Sequence, residues 1–213
     1  MKRFQLFLVG AFVAAGPLFA QSADADWHSE VAKVKELIQA NPAQASEEAA
    51  QLLKGKNKKN TDLLIAIGQA YLEAGKINEA EAYAALGQKA NSKSAAVSVL
   101  QGDIAVAKKD AGKACQLYEQ AIYFDPNYKE AYLKFADVYK GASPQLAIEK
   151  LEQLKNLDPS CVAADKKLAE VYYQNYLDQP HGFVNFTIIS RRAKKITIEM
   201  AKNFRKFWDK NAK

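Results

Sequence analysis

Apolar residues along this chain recur at three- and four-residue steps, the spacing that gathers them on one face of an α-helix. Trp27, Val31, Val34, Leu37 and Ile38 form one such face, and Ala45, Ala49, Leu52 and Leu53 form the next. Asn41-Pro42 separates the two, because proline disfavours helix before it and suits the first turn of a new one. The pattern predicts helices near 27–39 and 42–54, then a turn made by Gly55 and the polar residues 56–60. A third helix opens near Thr61 with Leu64, Ile67, Gly68 and Tyr71 inward. Gly75-Lys76 is its turn, and Ala80, Ala84 and Gly87 face back from a fourth helix that stops near Asn91. The same plan returns with Gly102 and Ala105, a turn at 109–112, then Ala114, Tyr118 and Ala121, closed by Asp125-Pro126-Asn127. It returns again with Tyr132, Phe135, Ala136 and Tyr139, a turn at 141–144, then Ala147, Leu151 and Leu154, closed by Asp158-Pro159-Ser160. Leu168, Ala169 and Tyr172 begin a fifth unit.

The small residues Gly68, Gly102, Ala136 and Ala169 are 34, 34 and 33 residues apart, and Tyr71, Ala105, Tyr139 and Tyr172 stand three residues after each. A period of this size marks an array of helical hairpins. Each hairpin cannot bury its apolar face alone, so the units must stack into a solenoid. Glycine or alanine at the crossing lets two helix backbones approach, and the tyrosine is expected to fill the wedge beside them. On that reading Tyr71, Tyr139 and Tyr172 are structural, and Tyr139→Ala removes several kcal/mol if the ring is buried, about 3–5 for large aromatics.

Leu64-x-x-Ile67-Gly68-x-x-Tyr71 with Ala80, Gly102 with Ala114, Tyr118, Ala121 and Pro126, and Tyr132-x-x-Phe135-Ala136-x-x-Tyr139 with Pro159 resemble the tetratricopeptide repeat family. The resemblance spans roughly 61–173, with 27–60 as a degenerate first unit. It implies an all-α fold, a right-handed α-solenoid of helix-turn-helix hairpins, divided as a degenerate first hairpin at 21–60 and an array at 61–182. It also implies that the first helices line a concave groove. One position there, just after each crossing residue, holds Gln69, Asp103, Asp137 and Glu170. Stacked as a partly acidic ladder, these four would receive a basic segment of a partner protein and set its orientation. The other reading is a solvated face compensated by Lys134, Lys140, Lys166 and Lys167. The basic residues with which related proteins clamp a terminal carboxylate are not visible.

The repeat pattern stops at Gln179-Pro180-His181-Gly182, which breaks helices. Beyond it, Ile189, Ala193, Ile196, Met200, Phe204 and Phe207 keep helical spacing with a basic opposite face, an atypical amphipathic C-terminal helix at 183–213. Residues 183–190 are also β-branched and aromatic enough to suit a strand, and the two readings stay open there. The chain's net charge of +6 sits in this tail: nine basic and two acidic residues from 191 to 213 give +7, so the remainder is −1. Arg191, Arg192, Lys194, Lys195, Phe204 and Trp208 could cap the array, lie on an anionic membrane surface, or fold onto an acidic groove.

Residues 1–20 form a different segment. Lys2 and Arg3 precede an apolar run over 4–20, and Ala20 before Gln21-Ser22 suits cleavage. This reads as a secretory signal peptide and predicts an exported, periplasmic or envelope-associated protein. An uncleaved N-terminal anchor is the alternative. In an oxidising compartment the two cysteines need an account. Cys115 falls near the start of one second helix and Cys161 just past the end of the next, at opposite ends of neighbouring helices, so two unpaired, packed thiols are expected.

Catalytic signatures are lacking. His28 and His181 stand far apart, no His/Cys/Asp set has metal-ligand spacing, and no phosphate loop or nucleophile elbow occurs. The expectation is a non-enzymatic scaffold or adaptor without cofactor, metal or small-molecule substrate. Its partners would be other proteins; an anionic membrane surface is the alternative, and the export signal argues against nucleic acid.

Overall fold

The computed structural model of the chain describes residues 27–176. Nine α-helices are found among them: α1 Trp27–Ala40, α2 Pro42–Leu52, α3 Thr61–Glu73, α4 Ile77–Ala90, α5 Ala95–Ala107, α6 Ala111–Phe124, α7 Lys129–Tyr139, α8 Pro144–Leu157 and α9 Val162–Tyr176. A 3-10 turn, Gly55–Lys59, joins α2 to α3 where a plain turn was expected. The expected signal segment, its cleavage site and the basic C-terminal helix lie outside the described residues.

Local chemistry starts the helices where the sequence places them. The side chains of Asn41, Asn60, Ser94 and Asp110 each accept the backbone N–H three residues on, satisfying a donor the helix leaves orphaned. Pro42 and Pro144 occupy the first helical position, where the missing N–H is no loss. The turn after α3 closes with Lys76 N–H on Tyr71 O at 2.9 Å and Gly75 at φ 75°. The turn after α5 repeats it, Asp110 N–H on Ala105 O at 2.9 Å, with Lys109 at φ 63° in the glycine's place.

The connections between hairpins also repeat. Asp125 Oδ1 accepts Asn127 N–H, and Asp158 Oδ1 accepts Ser160 N–H, both at 2.9 Å. Asn91 Oδ1 accepts Lys93 N–H at 3.1 Å in the same way, so the α4–α5 connection is a third copy with Ser92 where the other two have proline. At the last connection Lys155 donates to Pro159 O at 2.5 Å and holds the buried Asp165 of α9 at 2.9 Å.

Three apolar clusters tile the array. The first joins Val34 and Ile38 of α1 to Ala45, Leu63, Ile67, Ala80 and Leu100. The second joins Val99 and Ala105 of α5 to Ala114, Tyr118 and Phe135. The third joins Tyr132 and Ala136 of α7 to Leu151, Leu154, Ala164 and Leu168. Each cluster links one hairpin to the next, the quasi-one-dimensional core of a solenoid. The degenerate first hairpin shares the first cluster with α3–α5, so it packs as a unit of the array.

At the crossing positions the steric expectation holds. A β-carbon on Gly68 would stand 2.8 Å from Leu100 Cδ2 and 3.3 Å from Tyr83 Cβ, and one on Gly102 would stand 2.8 Å from Tyr118 Cδ1. The tyrosines need a correction. Tyr71 is buried and stacks on Tyr83 with ring centroids 5.4 Å apart, but Tyr139 and Tyr172 are only half-buried. Tyr139 leans across to Phe135 and Cys115, so it lies between hairpins. The fully buried aromatic is Tyr118, on a second helix, 1% exposed. Cys115 and Cys161 are free and buried, as expected from their placement.

Candidate functional site

The first helices α1, α3, α5, α7 and α9 pack on one another in succession, and α1, α3, α5 and α7 each pack on their own second helix. Gly68 and Gly102 turn toward their own second helices, against Tyr83 and Tyr118, and Gln69, Asp103 and Asp137, one residue after each crossing position, mark another side of the first helices. A cavity of about 790 Å³ opens on it between α3, α5 and α7. Its apolar lining comes from Leu72, Val106, Ala107, Ala111 and Val138, and its polar lining includes Gln69, Glu73, Asp103, Lys109, Glu130, Lys134 and Asp137. Val106 is 44% exposed, a large share for a valine within a helix.

Gln69, Asp103 and Asp137 are therefore brought to one groove. Glu170 lies one helix further on, in α9, and is not part of that lining. None of the three acids stands bare. Lys134 Nζ is 2.9 Å from Asp103 Oδ2, Lys167 Nζ is 2.5 Å from Asp137 Oδ1, and Lys140 Nζ is 2.6 Å from Glu170 Oε1. Every one of these pairs spans two successive first helices, 30 or 31 residues apart. Lys140 is held above the usual lysine range chiefly by its bond to Glu170. Lys134, Lys140 and Lys167 thus act as the compensating lysines; Lys166 takes part in none of these pairs.

Asp103 carries a second load. It accepts the Tyr118 hydroxyl at 2.7 Å through Oδ1 while Oδ2 receives Lys134. Burial pushes the Tyr118 phenol far up, and the bond to Asp103 adds to the rise. A buried hydroxyl needs this acceptor, since an unsatisfied one costs about 1–3 kcal/mol. The residue singled out for partner binding is also a structural tie, a role visible only once Tyr118 is placed against Gly102.

The cavity combines apolar and charged lining. Leu72, Val106 and Val138 give contact area, and the Asp103–Lys134 pair beside them gives hydrogen-bond donors and acceptors. Among the described residues no three His, Cys, Asp or Glu side chains gather to hold a metal ion, and no helix is long and apolar enough to cross a membrane. Arg191, Arg192, Lys194, Lys195, Phe204 and Trp208 lie outside the described residues.

No protein-family model and no curated protein sequence matches the chain. Solved structures do. The MamA crystal structure is 20% identical, with a TM-score of 0.55 over 75% of this chain and 92% of MamA. A thermophilic TPR protein of Thermus thermophilus is 17% identical, with a TM-score of 0.54 over 84% of this chain and 97% of its own. YrrB, described as a TPR protein with an unusual peptide-binding site, is 14% identical, with a TM-score of 0.53 over 85% of this chain and 92% of its own. The fold is that of a tetratricopeptide-repeat array.

Proposed function

We propose that this tetratricopeptide-repeat array is a non-enzymatic scaffold or adaptor that holds an extended segment of a partner protein in its concave groove. The observation that carries this is the cavity spanning α3, α5 and α7, lined by Leu72, Val106, Ala107 and Val138 beside the Asp103–Lys134 ion pair. A similar fold in YrrB has a peptide-binding site, which supports the same use here. The apolar lining supplies affinity, and the ion pair supplies register. A basic side chain of the partner would share Asp103 or Asp137 with the lysine already there, so charge sets orientation more than strength. The signal-like segment at 1–20 supports work in the periplasm or cell envelope.

The test is retention of a partner from envelope extract by the protein and by a Gln69→Lys/Val106→Glu variant. Both positions line the groove and neither belongs to the Asp103–Tyr118 tie. A protein retained by the native chain and lost by the variant supports the groove. Equal retention by both removes it from consideration.

A further inference from the structure

One edge of the array collects all the points where a second helix ends and the next first helix begins. Its charge is uneven. At the α8–α9 end two lysines are matched: Lys129 Nζ lies 2.7 Å from Asp158, and Lys155 Nζ lies 2.9 Å from Asp165. At the α2–α5 end the 3-10 turn, which carries Lys58 and Lys59 just after Lys54, packs against α4, whose last turn carries Lys89 shortly before Lys93. All five are exposed, and none forms an ion pair with a described residue; Lys54 bonds only to Gln51, at 2.7 Å. Between residues 49 and 72 the single acid is Asp62, and between 82 and 102 there is none.

We propose that this lysine edge is a docking surface for an anionic phospholipid membrane. The cations are all lysines, point charges without the fork that arginine uses for a discrete phosphate or carboxylate, so they suit a diffuse anionic plane. The surface is an edge and not a groove: none of these five residues lines the cavity beside Asp103 or a second one, of about 490 Å³, lined from α4, α5 and α6. No aromatic side chain lies in 54–59 or 85–94 to stack on a base, which single-stranded nucleic acid would need. Leu86, 44% exposed one turn before Lys89, offers an apolar contact at the headgroup boundary. Lying on a membrane by this edge leaves the concave groove open sideways, so membrane and partner segment can be held together.

The experiment is sedimentation of the full chain with vesicles of phosphatidylcholine plus phosphatidylglycerol and with phosphatidylcholine alone. The readout is the ratio of the two affinities, which cancels insertion of the apolar segment into either. The edge variant is Lys54→Gln/Lys58→Gln/Lys59→Gln/Lys93→Gln; Arg191→Gln/Arg192→Gln/Lys194→Gln/Lys195→Gln serves as the tail comparison. A preference for anionic vesicles that falls roughly tenfold or more in the edge variant, with helicity unchanged and the tail variant largely retaining it, is the expected result. Loss in the tail variant alone, no anionic preference in the native chain, or tighter binding to polyuridylate that the edge variant abolishes would each overturn the proposal.

Discussion

Gly102 leaves no room for a methyl group. A β-carbon there meets the ring of Tyr118, which is buried and tied to Asp103, so neither partner can yield. Gly102→Ala is expected to destabilise by about 1–3 kcal/mol despite alanine's better helix propensity. Gly68→Ala should lose less, because its tight contact is the end of the flexible Leu100 side chain. Urea melts of the two variants compare them directly, and equal losses would contradict the Tyr118 contact. Lys109 is the opposite case. Its backbone sits in the left-handed region that Gly75 occupies in the preceding hairpin. Lys109→Gly relieves strain of about 1–2 kcal/mol, partly offset by glycine's greater freedom in the unfolded chain. A small rise in melting temperature is expected; a fall would mean that Lys109 makes contacts worth more than its strain. Gly75 was readable as a turn residue from its type, whereas Lys109 gave no such sign. Only its register with Gly75 reveals the conformation.

The repeated connections make predictions at the scale of the element. Asn91 has extended backbone, φ −144° and ψ 99°, compatible with a following proline. Replacing Ser92 by proline copies the turns at Pro126 and Pro159 and should stabilise by about 0.4–1 kcal/mol, seen as a shift in denaturant midpoint. At Asp158 the Lys129 ammonium, with the Ser160 hydroxyl and N–H, holds the carboxyl well below its ordinary value. A depressed folded value means that the contribution is present above the unfolded carboxylate range, near 4, and fades as the pH falls toward the folded value. Lys129 is raised in turn by the same bond, so its contribution holds through the neutral range and is lost only at high pH. Asp158→Asn should therefore flatten the acid side of a plot of melting temperature against pH below about 4. An unchanged acid limb would show the pair to be energetically idle. Helix limits were legible because caps, prolines and apolar spacing are local signals. The α4–α5 turn was harder to align because Ser92 hides the kinship that proline displays in the other two.

Across the whole molecule stability should pass from neighbour to neighbour. The middle cluster, centred on Tyr118, couples the α1–α5 cluster to the α7–α9 cluster, and Lys134 crosses the same junction to Asp103. Tyr118→Ala removes the filling and orphans the Asp103 acceptor, with a loss of about 3–5 kcal/mol. The loss should also be uneven: amides of α7–α9 should exchange hydrogen ahead of those of α3–α4, where the native chain protects them more evenly. Uniformly faster exchange would mean that the array unfolds as one unit.

Sequence alone determined that this chain is a run of helical hairpins, where each helix begins, and which small residues face the crossings. Those features depend on spacing of 3.6 residues per turn and on a period near 34, both written along the chain. It also set acids and lysines on the first helices, without saying whether they would meet. Tertiary structure decided that they do: Asp103 with Lys134, Asp137 with Lys167, Glu170 with Lys140. It decided too that Tyr118, and not Tyr139, fills the central wedge, and that the 3-10 turn after α2 packs against α4. The reason is geometric. A period states that units repeat, but the angle and offset at which one hairpin rests on the next select the partners. That angle comes from side-chain packing between residues some thirty positions apart.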